Sequence, residues 1–309
     1  MQFSGLSNWN LANNRFVYKA IGIWANVCRF VLAAVFLFSG FVKANDPLGT
    51  VYKLQDYLEA WGLPEWKDTL IPYIGSMAMG AFEFTMGIYL LFGIRRRVSS
   101  ILVLLCMCFM TPLTLWLALD NPISDCGCFG DAFTLGHGAT LLKNVLLWAL
   151  AVWHLWVVRA ETWHGLKGWR TTACCAVFSL AVPLYSAVWL PPVDFLPFGR
   201  GAALSAVPGF GVYDGRYEEV TDSLMEVSGS KPLVAVVSRR TLTADDLRKL
   251  SGLRAEAGAG RISLCLWTLP GLNGGAGMDV FYTDEVTLKS LLRAGAGLVV
   301  VDGGIVRAK

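Results

Sequence analysis

The stretch AIGIWANVCRFVLAAVFLFSGFV, residues 20–42, contains a single charged side chain, Arg29. An α-helix rises about 1.5 Å per residue, so about 20 such residues span a hydrocarbon core of about 30 Å. Residues 73–93, 99–119, 139–159 and 171–190 reach the same length with few charges. In lipid every backbone polar group needs a partner within the protein, so runs of this kind are helices. Composition points the same way: 55% of residues are hydrophobic, 16% are charged, and mean hydropathy is +0.51. A soluble core cannot hide that much apolar surface. A net charge of +3, with no basic stripe interleaved with aromatics, argues against nucleic acid as a partner. The bilayer is the first partner expected. The N-terminus is polar and lacks a small-residue cleavage site, so the first apolar run reads as an uncleaved anchor.

Orientation follows from Lys and Arg in the short loops. Arg15 and Lys19 precede the first span, Arg95, Arg96 and Arg97 follow the second, and Arg159, Lys167 and Arg170 lie between the fourth and fifth. The loop 120–138 has no Lys or Arg. In the segment 43–72, Lys43, Lys53 and Lys67 are offset by Asp46, Asp56, Glu59, Glu65 and Asp68. The N-terminus is therefore expected in the cytoplasm. The loop 120–138 and everything after residue 190 then face outward, into the periplasm if the membrane is a bacterial inner membrane. Residues 48–62 read as a short amphipathic helix on that outer surface.

Beyond the spans, residues 191–225 read as a Pro/Gly-rich linker and 226–309 as a small soluble α/β domain. Strands are predicted at 233–237 and 262–268, and helices at 243–257 and 284–294. GLVVVDGGIVR, residues 297–307, is a hairpin pattern turning at Asp-Gly.

Cysteine position matters more than the total of eight. Cys28, Cys106, Cys108, Cys174 and Cys175 fall within spans and read as small packing residues, and Cys265 lies in a strand pattern. Cys126 and Cys128, in DCGCFGD (125–131), are the two that face an oxidising compartment as a pair. Three chemistries fit them. A redox-active dithiol is one, because a disulfide across one residue closes a tight ring, and strained, exposed disulfides are the labile ones. Gly127 supplies the backbone freedom such a ring demands. A static staple or tight turn is the second. The third is a metal site completed by Asp125, Asp131 or His137, though the second thiolate pair that zinc spacing favours is missing. Asp125 and Asp131 would raise the thiol pKa values. Lys143, at the start of the fourth span, is expected to approach the sulfurs and lower them. Phe129 and Phe133 are expected to turn into apolar surface, with Gly127 and Gly130 permitting the bend.

Several pieces together carry a family likeness. Arg29 with FLFSGFVKANDP (36–47), Glu83, DCGCFGDAFTL (125–135) and Lys143-Asn144 resemble the MauE/DoxX-like membrane proteins over residues 20–160. The resemblance implies a four-helix membrane domain at 20–160 after a cytoplasmic segment, 1–19, with a fifth span at 161–190. DoxX proteins of Bacteroidetes also add a fifth span and a soluble tail, with a DE-x-T-L-K run matched here at 284–289. The tail resembles a thioredoxin fold without its Cys-x-x-Cys, since Ser238-Arg239-Arg240-Thr241 follows the first strand. MauE serves methylamine utilisation, so the resemblance implies help in maturing a disulfide-rich protein.

Arg29 and Glu83 both fall near mid-membrane, where a lone charge is costly, and are expected to pair inside the bundle. His154 reads as a packing histidine. The function expected is a membrane thiol–disulfide protein that assists oxidation or maturation of envelope proteins. Cys126, Cys128 and Lys143 are the chemical residues. Arg29, Lys43, Glu83, Asp125, Gly127, Phe129, Gly130, Asp131 and Asn144 are the binding or structural ones. Electrons would pass to an envelope or periplasmic protein or to a membrane quinone, with no metal. Two competing readings are a non-catalytic assembly factor or scaffold, and a small-molecule or proton pathway centred on Glu83.

Overall fold

The structure, a computed structural model, describes residues 15–159, 169–189, 192–207, 209–272 and 277–309. The polar segment 1–14 and Lys167, used above for orientation, lie outside the described residues. The chain divides into two units, Met1–Trp189 and Leu190–Lys309.

The first unit begins with α1, Arg15–Asn45. Asp46 stops it and caps the next helix, α2 (Pro47–Ala60), by accepting from the Gly49 N–H at 3.1 Å. Pro47 at the first helical position has no N–H to leave unsatisfied, so the chain turns sharply there. α2 is the short helix that the pattern at 48–62 predicts. α3 (Ile71–Phe92), α4 (Arg96–Asp120) and α5 (His137–Val158) follow. Among the described residues, α1, α3, α4 and α5 are long and apolar enough to cross a membrane. α6, Trp169–Val188, occupies the place of the expected fifth span, but its apolar part, Ala173–Ser186, is shorter than the four. It packs beside α3, where the Thr85 hydroxyl donates to Ser179 Oγ at 2.8 Å.

α1 and α3 approach closely because glycines face each other's backbones. A Cβ at Gly87 would come within 2.6 Å of the Leu37 nitrogen, and one at Gly40 would meet the Phe84 backbone. Small residues at helix contacts in lipid permit this separation. Ser76, Gly80, Glu83 and Gly87 all lie buried on α3, at the spacing of one helix face. Leu32, Phe36, Met86, Leu90, Val103 and Leu147 form the apolar core below.

The second unit holds a five-stranded sheet in the order β3-β2-β1-β4-β5. Its strands are β1 (Leu233–Ser238), β2 (Ser263–Thr268), β3 (Asp279–Tyr282), β4 (Ala296–Asp302) and β5 (Ile305–Ala308). β1 pairs parallel with β2 and antiparallel with β4, and is buried along its whole length. Helices α7 (Thr221–Ser230), α8 (Ala244–Lys249), α9 (Ser251–Gly258) and α10 (Glu285–Leu291) accompany the sheet. The helix predicted at 243–257 is thus two, the first opened by a Thr243/Asp246 capping box. β3 was not predicted; it is a four-residue edge strand. The hairpin turn falls on Gly303 and Gly304, both with positive φ (58° and 74°), one residue beyond the expected Asp-Gly. Positive φ at both central residues is the turn that matches strand twist. The supposed linker 191–225 is corrected as well. Phe198, Leu204 and Val212 are buried in the core with Trp267, so this segment is part of the unit.

Candidate functional site

The loop 121–136 joins α4 to α5 and folds back onto α1 and α2. Asp125 Oδ2 accepts from the Gly127 N–H at 2.9 Å, closing a turn around Cys126. Gly127 has φ 67°, and an added Cβ would lie 2.9 Å from Lys53 Cγ. Gly130 (φ 52°) passes Val42 Cγ1 at 3.0 Å from a Cβ position. Both glycines are thus required twice, by backbone conformation and by close approach. Residues Gly130–Ala132 make one 3-10 turn, which holds the half-buried Asp131.

Beneath the loop sits a buried polar cluster. The Lys43 ammonium donates to Ser39 Oγ, to Glu83 Oε2 and to the Cys128 carbonyl, each at 2.7 Å. An ammonium has three N–H groups, so Lys43 is fully satisfied. The Ser39 hydroxyl lies 2.7 Å from Glu83 Oε2 and 2.6 Å from the Cys128 carbonyl, and gives its one proton to either. The Lys43 and Glu83 side chains are only 3% and 9% exposed, so this is an ion pair inside the bundle. Ser39 and Lys43 share a face of α1 at i,i+4, and the Gly40/Gly87 approach brings Glu83 within their reach.

The expected Arg29–Glu83 pair is therefore corrected: the partner of Glu83 is Lys43. Arg29 lies toward the other end of the bundle, its Nη1 against Gly93 and its guanidinium 4.6 Å from the Phe30 ring. Ten residues of helix separate Gly93 from Glu83, about 15 Å, beyond the reach of that side chain.

The upper side of the loop belongs to α2. Lys53 forms an ion pair with Asp125, whose charge is thereby offset beside the thiols. The Tyr57 hydroxyl donates to the Cys126 carbonyl at 3.2 Å. From α5, Lys143 Nζ stands 4.3 Å above the centroid of the Phe129 ring, and Phe129 packs edge-on against Phe38 at 5.5 Å. Phe133 is 58% exposed, so it does not turn into the bundle as expected. Asn144 ties α5 to α4 by donating to Thr114 Oγ1 at 3.2 Å.

Both cysteines are free thiols, and they are not equivalent. The Cys126 S–H donates to the Cys128 sulfur, which pulls Cys128 below the ordinary thiol range against the opposing effect of burial. The ammoniums of Lys143 and Lys43 pull in the same direction. Cys126 is raised well above the ordinary thiol range, because its proton is held by Cys128 and because it is buried. In such a pair the proton stays with Cys126, and Cys128 is the more readily ionised member. Two crevices meet at it. One, of about 190 Å³, is lined by Cys126, Cys128, Phe133, Leu135 and Thr140. The other, of about 350 Å³, runs from Cys128 and Lys143 along Glu83, Cys106, Met110 and Asn144. Among the described residues, no three His, Cys, Asp or Glu gather as metal ligands.

With this geometry in view, the comparison with known families is direct. Residues 21–157 match the family model of methylamine utilisation protein MauE. Over that stretch the membrane domain is similar to the MauE family. No curated protein and no solved structure matches the chain. The family match begins and ends within the helices that build the loop site, and the sheet-bearing unit lies outside it. Within the matched domain, the structure gathers Cys126, Cys128, Lys143, Lys43, Glu83, Asp125, Gly127, Phe129 and Gly130 around one loop, and leaves Arg29 apart. Sequence reasoning missed Ser39, Lys53 and Tyr57. Ser39 and Lys43, and likewise Lys53 and Tyr57, are i,i+4 pairs, which was the available signal. Cys106 lines the inner crevice rather than serving only as packing, while Cys108 is exposed and accepts from Trp148 Nε1 at 3.4 Å.

Proposed function

We propose that this MauE-family domain is a membrane thiol–disulfide exchange protein that assists oxidation or maturation of envelope proteins. The observation that carries it is the polarised pair: Cys126 donates to a Cys128 sulfur beside the ammoniums of Lys143 and Lys43. Cys128 is the nucleophile and Cys126 the resolving thiol. Lys43, Glu83 and Ser39 hold the Cys128 carbonyl and so fix the loop against the bundle. A static staple has no use for a lowered thiol pKa or for crevices that reach the sulfurs. The basic loop Arg95–Arg97 sets the cytoplasmic side, so the loop 121–136 faces the periplasm of a bacterial inner membrane. With α6 read as a fifth span, the second unit would be periplasmic, where a thioredoxin-like domain lacking its dithiol would bind or position the partner.

The test is alkylation trapping of the thiols in intact cells, with and without reductant, read by mass shift. A reversible Cys126–Cys128 disulfide whose population follows the applied redox potential supports exchange. Thiols that stay permanently free or permanently oxidised would overturn it.

A further inference from the structure

Lowering one thiol of a vicinal pair creates a difficulty for the other. When the Cys128 thiolate attacks an external disulfide, a mixed disulfide forms on Cys128 and one thiolate leaves. Cys126 must then lose its proton and attack the Cys128 sulfur, expelling the second thiolate. Cys126 is the buried, high-pKa member, and with Cys128 bonded elsewhere its hydrogen-bond acceptor has become a poor one. The charge of Lys143 acts on both thiols, whereas that of Lys43 acts on Cys128. Beyond that shared charge, the second thiolate needs a hydrogen-bond donor of its own.

The group in place is a phenol. Tyr57 is 6% exposed and shares a buried cluster with Cys126 and Leu117. Its hydroxyl donates to the Cys126 carbonyl at 3.2 Å, long for an O–H···O bond, whose usual range ends near 3.0 Å. The Cys126 side chain packs in the same cluster as the Tyr57 ring, beside that hydroxyl. A donor in a weak bond to a carbonyl turns readily to an anionic sulfur beside it, because hydrogen bonds to ionised acceptors are roughly twice as strong. Burial, with the field of the two thiols, raises the Tyr57 pKa, so the phenol keeps its proton and acts as a donor throughout.

We infer that Tyr57 is a catalytic residue of the resolving step, its hydroxyl donating to Cys126 as that thiol becomes a thiolate. This rests on the exchange reaction proposed above and adds a residue from α2 to it. The balance is complete. In the first step Cys128–S⁻ and R–S–S–R give Cys128–S–S–R and R–S⁻. In the second, Cys126–S⁻ gives the Cys126–Cys128 disulfide and R–S⁻, with the Cys126 proton passing to solvent. The external disulfide is reduced by two electrons and the cysteine pair is oxidised by two. Tyr57 transfers nothing and stabilises charge.

The experiment uses the full chain in detergent with the six other cysteines replaced by alanine. The probe is the symmetrical aromatic disulfide of thionitrobenzoate, whose released thiolate is coloured. The reduced wild type should release one equivalent in a fast phase, as Cys128 attacks, and a second in a slower phase, as Cys126 resolves. Tyr57→Phe keeps the ring against Trp61, 5.6 Å away, and removes only the hydroxyl. It should leave the fast phase unchanged and slow the second on the order of tenfold. The loss of thiolate is partly offset by the greater nucleophilicity of a more basic sulfur. The unchanged fast phase doubles as proof that the variant is folded. Equal slowing of both phases, or no slowing of either, would overturn the role of Tyr57. A wild type with no second phase would overturn the exchange reaction itself.

Discussion

The buried cluster beneath Cys128 makes the sharpest quantitative prediction. Lys43→Met keeps the aliphatic stem and removes an ammonium that donates to three oxygens. Glu83 is then a carboxylate with a 9% exposed side chain and one neutral donor, Ser39. Removing one partner of a buried pair costs about 3–5 kcal/mol, because the remaining charge stays desolvated. We expect about 3 kcal/mol for Lys43→Met and about as much for Glu83→Gln. Independent effects would sum to about 6 kcal/mol in the double variant. Coupled loss of one pair predicts about 3 kcal/mol, an interaction energy of about 3 kcal/mol. Chemical denaturation in mixed micelles measures all four proteins. The thiol supplies a second readout with its own signs. The Lys43 charge favours the Cys128 thiolate and the Glu83 charge opposes it. Lys43→Met should therefore raise the pH midpoint of Cys128 alkylation, and Glu83→Gln should lower it. Additive stability losses, or midpoints moving the same way in both variants, would refute the pairing and leave simple displacement of the loop.

Three further outcomes are expected. In the wild type, the midpoint of Cys128 alkylation should lie below that of an ordinary thiol, since only the thiolate reacts. Lys143→Met should raise that midpoint; an unchanged one would assign Lys143 to packing on Phe129. Gly127→Ala forces an alanine to φ 67° and drives its Cβ into the Lys53 stem, costing about 1–2 kcal/mol and separating Lys53 from Asp125. Denaturation measures the cost, and a neutral result would mean that the turn around Cys126 adapts freely. A reporter active only in the periplasm should work when fused at Lys309 and fail at Arg96; the reverse pattern would place the dithiol loop in the cytoplasm.

The long helices were legible because twenty apolar residues in a row have few alternatives in water or in lipid. The dithiol loop was legible because its cysteines, glycines and aspartates are locally dense. What the sequence hid was tertiary. Hydropathy places Lys43 outside the first span, but α1 runs on to Asn45, which carries that side chain back over Ser39 toward Glu83. Arg29 looked the better partner because depth was counted from the ends of apolar runs, and it missed by about 15 Å along the bundle. Lys53 and Tyr57 lie more than sixty residues before the loop they hold, and nothing local advertises that contact. In the second unit, DVFY is too short to show a period, and Phe198, Leu204 and Val212 are irregularly spaced among prolines and glycines. Neither pattern has a helical or strand repeat to detect.

The Lys43–Glu83 pair also bears on how the chain is made. α1 carries the ammonium and α3 the carboxylate, and each charge alone in lipid costs about 2.5–3.5 kcal/mol on insertion scales. Neither helix is comfortable in the bilayer until the other has arrived. The connection between them is α2 and residues 61–70, which include a 3-10 turn at Pro64–Trp66, and their glycine faces let the backbones meet. The pair therefore favours contact between α1 and α3, and the cradle for the Cys128 carbonyl is built from Ser39, Lys43 and Glu83 of these two helices.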